Sequence, residues 1–153
     1  MSTATHEARP EPFPQTIAAL CLRGGVKPQQ IYETGCQFLV PAAGRTYTVH
    51  YACVGQFVAL NNLPVPLEWL PSVLPSILDL LGEVNQRIAP DRWESQQIAG
   101  QNFVFFMMRR PSPLEDLTPQ ALAHGLVDVA NAAGSFDNLL AELLASWKKQ
   151  SGG

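Results

Sequence analysis

Residues 101–108 read QNFVFFMM, and the segment is apolar on both faces. As a strand it points Phe103, Phe105 and Met107 one way and Val104, Phe106 and Met108 the other. Each large side chain left in water forfeits roughly 1.5–3 kcal/mol, so such a strand needs cover on both sides. In a chain of 153 residues, packed helices supply one cover. The second row, either Phe103, Phe105 and Met107 or Val104, Phe106 and Met108, is then expected to meet a second copy or a partner.

Upstream, residues 92–98 form the other arm of a hairpin that turns at Ala99 and Gly100. Arg109, Arg110 and Pro111 end the second arm. Arg109-Arg110 and Lys148-Lys149 read as solvated ends of elements. Downstream, Leu117-Thr118-Pro119 opens a helix, with Thr118 as its cap and Pro119 at the first helical position, where its fixed φ helps. Leu122, Leu126, Val129, Ala133, Phe136, Leu140, Leu143 and Trp147 then recur at alternating spacings of four and three. That seam predicts a packed core helix rather than a coiled coil, because the flanking positions lack complementary charges. Gly134-Ser135 is expected to kink or break it midway.

Before the hairpin, Val73, Ile77, Leu81, Val84 and Ile88 form a helical stripe closed by Ala89-Pro90. Ser72 is the expected cap, which puts Pro75 in the first turn. Trp69 stands in the proline-rich loop ahead of this helix, either packed on the sheet edge or exposed as an anchor for a partner. Earlier still, residues 31–40, 46–53 and 56–60 read as three strands separated by Ala43-Gly44 and Val54-Gly55, an antiparallel meander. The second alternates Tyr47, Val49, Tyr51 and Cys53 against Thr46, Thr48, His50 and Ala52. Residues 13–22 form a short first helix stopped by Gly24-Gly25. The predicted fold is α+β, an antiparallel five-stranded sheet with helices packed on one face, in the order α-βββ-α-ββ-α. Residues 1–12 read as a disordered arm, 13–148 as a single domain and 149–153 as a flexible tail.

Composition narrows the function. Charged residues make up 15 % of the chain, against about 25 % in ordinary soluble domains, which favours an oligomer or a sticky binding face. A net charge of −3, with no basic stripe interleaved with aromatics, argues against nucleic acid. No apolar run approaches the ~20 residues of a membrane span; prolines and acidic residues interrupt residues 63–81. No secretory signal is read at the start, so a cytoplasmic protein is expected. Cys21, Cys36 and Cys53 lack a Cys-x-x-Cys spacing and read as three reduced thiols packed in the interior.

No catalytic signature stands out. His6, His50 and His124 are scattered and predict no metal site. Glu33 and His50 would mimic an acid–base pair if the strand register brought them together, and His50 would otherwise serve as a pH-sensitive contact at an interface. Ser72, Ser76 and Ser112 read as cap or loop residues, and no phosphate-cradling glycine motif is present. No enzymatic activity is expected.

The stretch from Ile77 to Leu144 carries a diffuse pattern. It comprises Leu78-x-x-Leu81-x-x-Val84-Asn85, a hairpin with Trp93 and Gly100, the apolar strand, Asp116-Leu117-Thr118, and then Leu122, Leu126 and Asp128. In this element order the chain resembles the YbjN family and the related class I type III secretion chaperones, over about residues 29–147. The resemblance implies a homodimeric cytoplasmic protein that binds polypeptide segments, without cofactor or catalysis. The expected function is a non-enzymatic protein-binding chaperone or assembly adaptor, a homodimer that buries apolar segments of a partner. Candidates for its interface are Tyr47, Val49 and Tyr51 or their opposite face, with Trp69, Val104, Phe106 and Met108. The alternative is a small-molecule-binding or enzymatic α+β domain. Its pocket would lie between the sheet and the second helix, with Glu33, His50 and Arg45 as polar groups.

Overall fold

The computed structural model describes residues 11–97 and 99–151. Residues 1–10 of the expected arm and 152–153 of the expected tail lie outside the described residues. The chain runs through α1 (Phe13–Gly24), β1 (Gln30–Ile31), β2 (Gly35–Ala42), β3 (Arg45–Ala52), β4 (Gln56–Leu60) and β5 (Val65–Pro66), then α2 (Leu70–Ile88), β6 (Arg92–Gln97), β7 (Phe103–Pro111) and α3 (Pro119–Ser151). The class is α+β with an antiparallel sheet, as the alternation in the sequence predicts. The sheet has seven strands rather than five. The added ones, β1 and β5, are two residues each, too short to leave a periodic signature. The helical order also differs, because single 3-10 turns at Leu67–Trp69 and Leu114–Asp116 precede α2 and α3.

Strands β2, β3 and β4 form the meander, with Cys36 opposite Tyr51, Phe38 opposite Val49 and Ala59 opposite Val49. β7 is interior. On one side it pairs with β4 (Ala59 opposite Met108) and, beyond a break at Asn61, with β5 (Val65 opposite Val104). On the other it pairs with β6 over its whole length, Arg92 opposite Arg109 through Gln97 opposite Val104. Arg109 and Arg110 lie inside this strand instead of capping it. Their charges are met there: Arg109 Nε donates to Glu94 at 2.8 Å, and Arg110 Nε to Asp91 at 2.7 Å. β6 is the outer strand at this end of the sheet. The Asn85 side chain, from α2, accepts from the Trp93 N–H at 2.7 Å and donates to the Trp93 carbonyl at 2.9 Å.

One sheet face carries all the helices of the described residues. Cys36, Phe38, Tyr47, Val49, Tyr51, Phe57, Ala59, Trp93, Phe106 and Met108 point into that layer and are buried. The α3 seam meets them, with Leu122, Val129, Ala133, Phe136 and Leu140 buried. Phe136 stacks on Trp93 with ring centroids 4.2 Å apart and lies 5.4 Å from Phe106. α3 runs unbroken through Gly134-Ser135 for 33 residues, past the expected start of a tail. Glycine serves close approach here. A Cβ on Gly134 would lie 2.9 Å from the Ala43 Cβ, and one on Gly125 would collide with the Phe57 ring. The glycines therefore let a long helix lie flat on the meander.

Local starts and stops follow their chemistry with one exception. Thr118 Oγ1 accepts from the Ala121 N–H at 3.0 Å, the expected cap of α3. α2 instead begins at Leu70 with no side-chain cap, Pro71 falls in its first turn, and Pro75 lies inside the helix. The preceding 3-10 turn starts the winding at Leu67, five residues before Ser72, so Ser72 is not the cap. Cys21 and Cys36 are buried as expected, but Cys53, at the turn after β3, is exposed.

Candidate functional site

The strict alternation of β7 decides which side chains remain available. Val104, Phe106 and Met108 are the inward row, between 0 and 5 % exposed. Tyr47, Val49 and Tyr51 are each 0 % exposed beneath the helices. These six expected interface residues are therefore core, a correction whose cause is the descent of α3 onto their face of the sheet. Trp69 lies near Pro66 of β5 and packs against the end of α3. Its ring lies 5.5 Å from Trp147 of α3, with Lys148 Nζ 4.4 Å from its centroid. It is half-buried, and it borders a shallow depression lined by Pro64, Pro66, Leu144 and Lys148.

Among the described residues, the opposite face of the sheet carries no helix. Register places its side chains in rows. Met107 lies between Leu60 and Glu94, and Arg109 lies between Val58 and Arg92. Farther along β7, Phe105 faces Gln96 and Phe103 faces Pro66. Phe103 is 39 % exposed and Leu39, on β2, is 50 % exposed; Phe105, Met107, Leu60 and Val58 are half-buried. Phe103, Phe105, Met107, Leu60 and Val58 thus form a continuous apolar band, bordered by the Arg109–Glu94 ion pair. A band of this kind, rimmed by polar groups, is characteristic of an interaction surface. Its second row was one of the two left open by the sequence. Leu60 and Val58 were passed over because the short β4 run does not reveal its neighbours without the register.

His50 lies on this same face, between Gln37 and Val58. Burial among them lowers its pKa from the ordinary value. Glu33 precedes β2, whose pairing begins at Gly35 opposite Ala52, so no cross-strand Glu33–His50 pair is formed. Arg45 is elsewhere again, 3.8 Å from Asp137. The three polar groups of the alternative reading do not converge.

A second apolar surface lies on α2. Leu74 and Leu78 are 41 % and 57 % exposed. With Leu70, Leu81 and the β6 residues Ser95 and Gln97 they line a cleft of about 130 Å3 that reaches Phe106. This cleft occupies the place expected for a pocket between sheet and second helix. It is smaller than the roughly 300–1,000 Å3 of sites for drug-sized ligands, and its polar lining is limited to Ser95 and Gln97. Among the described residues, no group of three or more His, Cys, Asp and Glu is placed to hold a metal ion, and no helix is long and apolar enough to cross a membrane.

One polar cluster was missed by sequence reading. Asp137, on the buried side of α3, is 0 % exposed. Its Oδ2 accepts from Tyr47 Oη at 2.7 Å and from the Asn62 N–H at 2.9 Å. Its Oδ1 accepts from Asn61 Nδ2 at 2.9 Å and from the Leu63 N–H at 3.2 Å. Asn61 in turn receives the Phe106 N–H at 2.8 Å. All partners are donors, and every buried side-chain polar atom among the described residues is satisfied. The cluster fixes the break between β4 and β5 to α3, and so holds β7 in register. The signal was present: a carboxylate one residue after Phe136 and three before Leu140 lies on the apolar seam itself.

Compared with protein-family models, with curated proteins and with solved structures, the chain finds no match in any of the three.

Proposed function

We propose that this protein is a non-enzymatic, chaperone-like adaptor, a cytoplasmic homodimer that buries apolar segments of a partner polypeptide. The observation that carries this reading is the helix-free band of Phe103, Phe105, Met107, Leu60 and Val58. A monomer gains nothing by placing two phenylalanines and a methionine on the uncovered face of an interior strand, and a binder does. The resemblance to the YbjN family and the class I type III secretion chaperones supports the same function. So does the surface on α2, where Leu74 and Leu78 suit self-association while the sheet face is kept for the partner. Binding to the band would proceed by desolvation of apolar side chains, with strand addition at a sheet edge as a further source of affinity.

The test is the mass in solution by light scattering, together with binding of a hydrophobic dye. The wild-type chain at micromolar concentration should be larger than a monomer or bind the dye strongly. Phe105→Asp and Phe103→Asp should reduce dye binding and partner capture from native lysate, with the far-ultraviolet circular dichroism unchanged. A strict monomer that binds no dye would count decisively against the reading. Unfolding of Phe103→Asp, whose ring is already 39 % exposed, would show that the band is ordinary core.

A further inference from the structure

The sheet ends differently at its two sides. β6 has its outward peptide group at Trp93 met by Asn85. At the other side, β1 pairs with only Cys36 and Gln37 of β2. The Gln29 N–H donates to the Gln37 carbonyl and the Tyr32 N–H to the Gly35 carbonyl, both at 2.7 Å, so the odd-numbered residues of β2 turn their peptide groups away from β3. The next of these are Leu39 and Pro41. Continued by two residues, the β1 register sets Pro28 against Leu39, and proline has no N–H to give. The Leu39 N–H, the Leu39 carbonyl and the Pro41 carbonyl therefore take part in no backbone hydrogen bond among the described residues. Beside them α3 forms the wall of a groove. Its Ala123, Leu126 and Val127, with Val26 and Lys27 from the loop before β1, enclose about 180 Å3 along residues 38–41. Leu39 and Val127 are each 50 % exposed.

We propose that a short extended segment of a partner polypeptide, apolar on its groove-facing row and flanked by an acidic residue, adds to the sheet as a strand beside β2. On the polypeptide-binding reading above, on which this rests, β2 is the edge where the partner's backbone is held. A donor and two acceptors at strand spacing are matched by an extended backbone. An antiparallel residue opposite Leu39 exchanges both peptide groups with it, and the residue two before gives its N–H to the Pro41 carbonyl. β1 blocks the ladder at Gln37, so the added strand ends within a few residues. Its side chains opposite Phe38 and Val40 turn toward α3, as those two do, and meet Leu126 and Val127. The groove is smaller than the roughly 300–1,000 Å3 of sites for drug-sized ligands, which suits such side chains rather than a metabolite. Lys27 is the one charged residue lining it and takes part in no ion pair among the described residues, so an acidic flank complements it. A strand laid between a sheet edge and a helix draws affinity from main-chain bonds and selectivity from alternate side chains.

The experiment uses the full chain and a blocked, fluorescein-labelled peptide, Glu-Val-Thr-Val-Thr-Val-Glu, read by fluorescence anisotropy and by amide hydrogen exchange in nuclear magnetic resonance. In the free protein the Leu39 amide should exchange rapidly, while those of Phe38 and Val40, turned toward β3, are protected. The peptide should bind saturably, tighter than about 1 mM, and protect Leu39. N-methylation of its two threonines, whose N–H groups meet Leu39 and Pro41, should abolish binding, whereas N-methylation of its valines should not. Leu39→Pro removes the edge donor, and Val127→Glu puts a charge on an exposed helix position at the groove. Each should weaken binding roughly tenfold, and Leu39→Thr should leave it unchanged, as should Phe105→Asp. Protection of Leu39 in the free protein would overturn the proposal, because the edge is then already taken, by a second copy if protection rises with concentration. So would valine methylation as damaging as threonine methylation, or full binding by both Leu39→Pro and Val127→Glu. Loss of peptide binding in Phe105→Asp would place the peptide on the band, refuting the β2 edge and leaving the polypeptide-binding reading in place. No peptide binding alongside strong dye binding by the wild-type chain would refute the edge alone.

Discussion

Replacing Asp137 with asparagine changes almost no volume, yet it should be among the most damaging substitutions in the chain. The side chain is 0 % exposed and accepts four hydrogen bonds, two at each oxygen. Each oxygen serves one backbone N–H, from Asn62 or from Leu63. An amide turned either way therefore sets its NH2 against a backbone N–H that cannot rotate aside. One buried donor left without an acceptor costs about 1–3 kcal/mol. The two bonds at the remaining oxygen fall from charge-assisted to neutral, a loss of about 1 kcal/mol each. Arg45 lies 3.8 Å away with 41 % of its side chain exposed and adds little. The sum is about 3–5 kcal/mol, or a melting temperature lower by roughly 6–20 °C for a chain of this size. Tyr47→Phe removes a single donor and should cost only about 1 kcal/mol. Urea unfolding at neutral pH, followed by tryptophan fluorescence, reads both. Asp137→Asn within about 0.5 kcal/mol of wild type would mean that desolvating the carboxylate cancels its bonds, and the assignment of Asp137 as the pin between α3 and the β4–β5 break would fall.

Two further expectations concern packing and pH. Gly125→Val should cost about 1–3 kcal/mol by driving a side chain into the Phe57 ring, while Gly82→Ala, on the exposed side of α2 with nothing within 4 Å, should stabilise by up to about 1 kcal/mol; equal effects of the two in urea unfolding would refute the close approach of α3. Burial holds the folded His50 pKa below its ordinary value of 6.5, so the unfolded chain takes up the proton first as pH falls. Stability should then be flat above neutrality and decline as pH drops through about 6.5 toward the folded value. His50→Gln should flatten that part of the profile, and an unchanged slope would assign it to other groups.

The sequence revealed the parts of this fold that are periodic. Alternation in residues 46–53 and the seam from Leu122 to Trp147 were enough for the meander, the core helix and the α+β class. What escaped was set by contacts between distant segments. β1 and β5 exist only because β2 and β7 offer edges to them, and two residues carry no period. Gly134 looked like a break because glycine lowers helix propensity; its value lies in the approach of Ala43, which no local window shows. The helix-free apolar face was half legible. Residues 101–108 declared an uncovered row, but the choice between Phe105 and Phe106 depended on which face α3 descends upon, and Gly125 against Phe57 settles that. Asp137 stood in plain view on the apolar seam, and its meaning depended on donors about 75 to 90 residues away in sequence.

The contact between Asn85 and Trp93 has a consequence for how crowded copies of this chain coexist. The edge of β6 would otherwise offer a free N–H and carbonyl at Trp93, the template on which strands from successive molecules stack without limit. Asn85 presents a carbonyl and an NH2 at the spacing of a neighbouring peptide group, and so imitates the next strand while being unable to extend it. A chain that keeps Phe103 and Phe105 on a helix-free sheet face has particular need of such a terminator, because strands stacked edge to edge would align those side chains into one continuous apolar ridge.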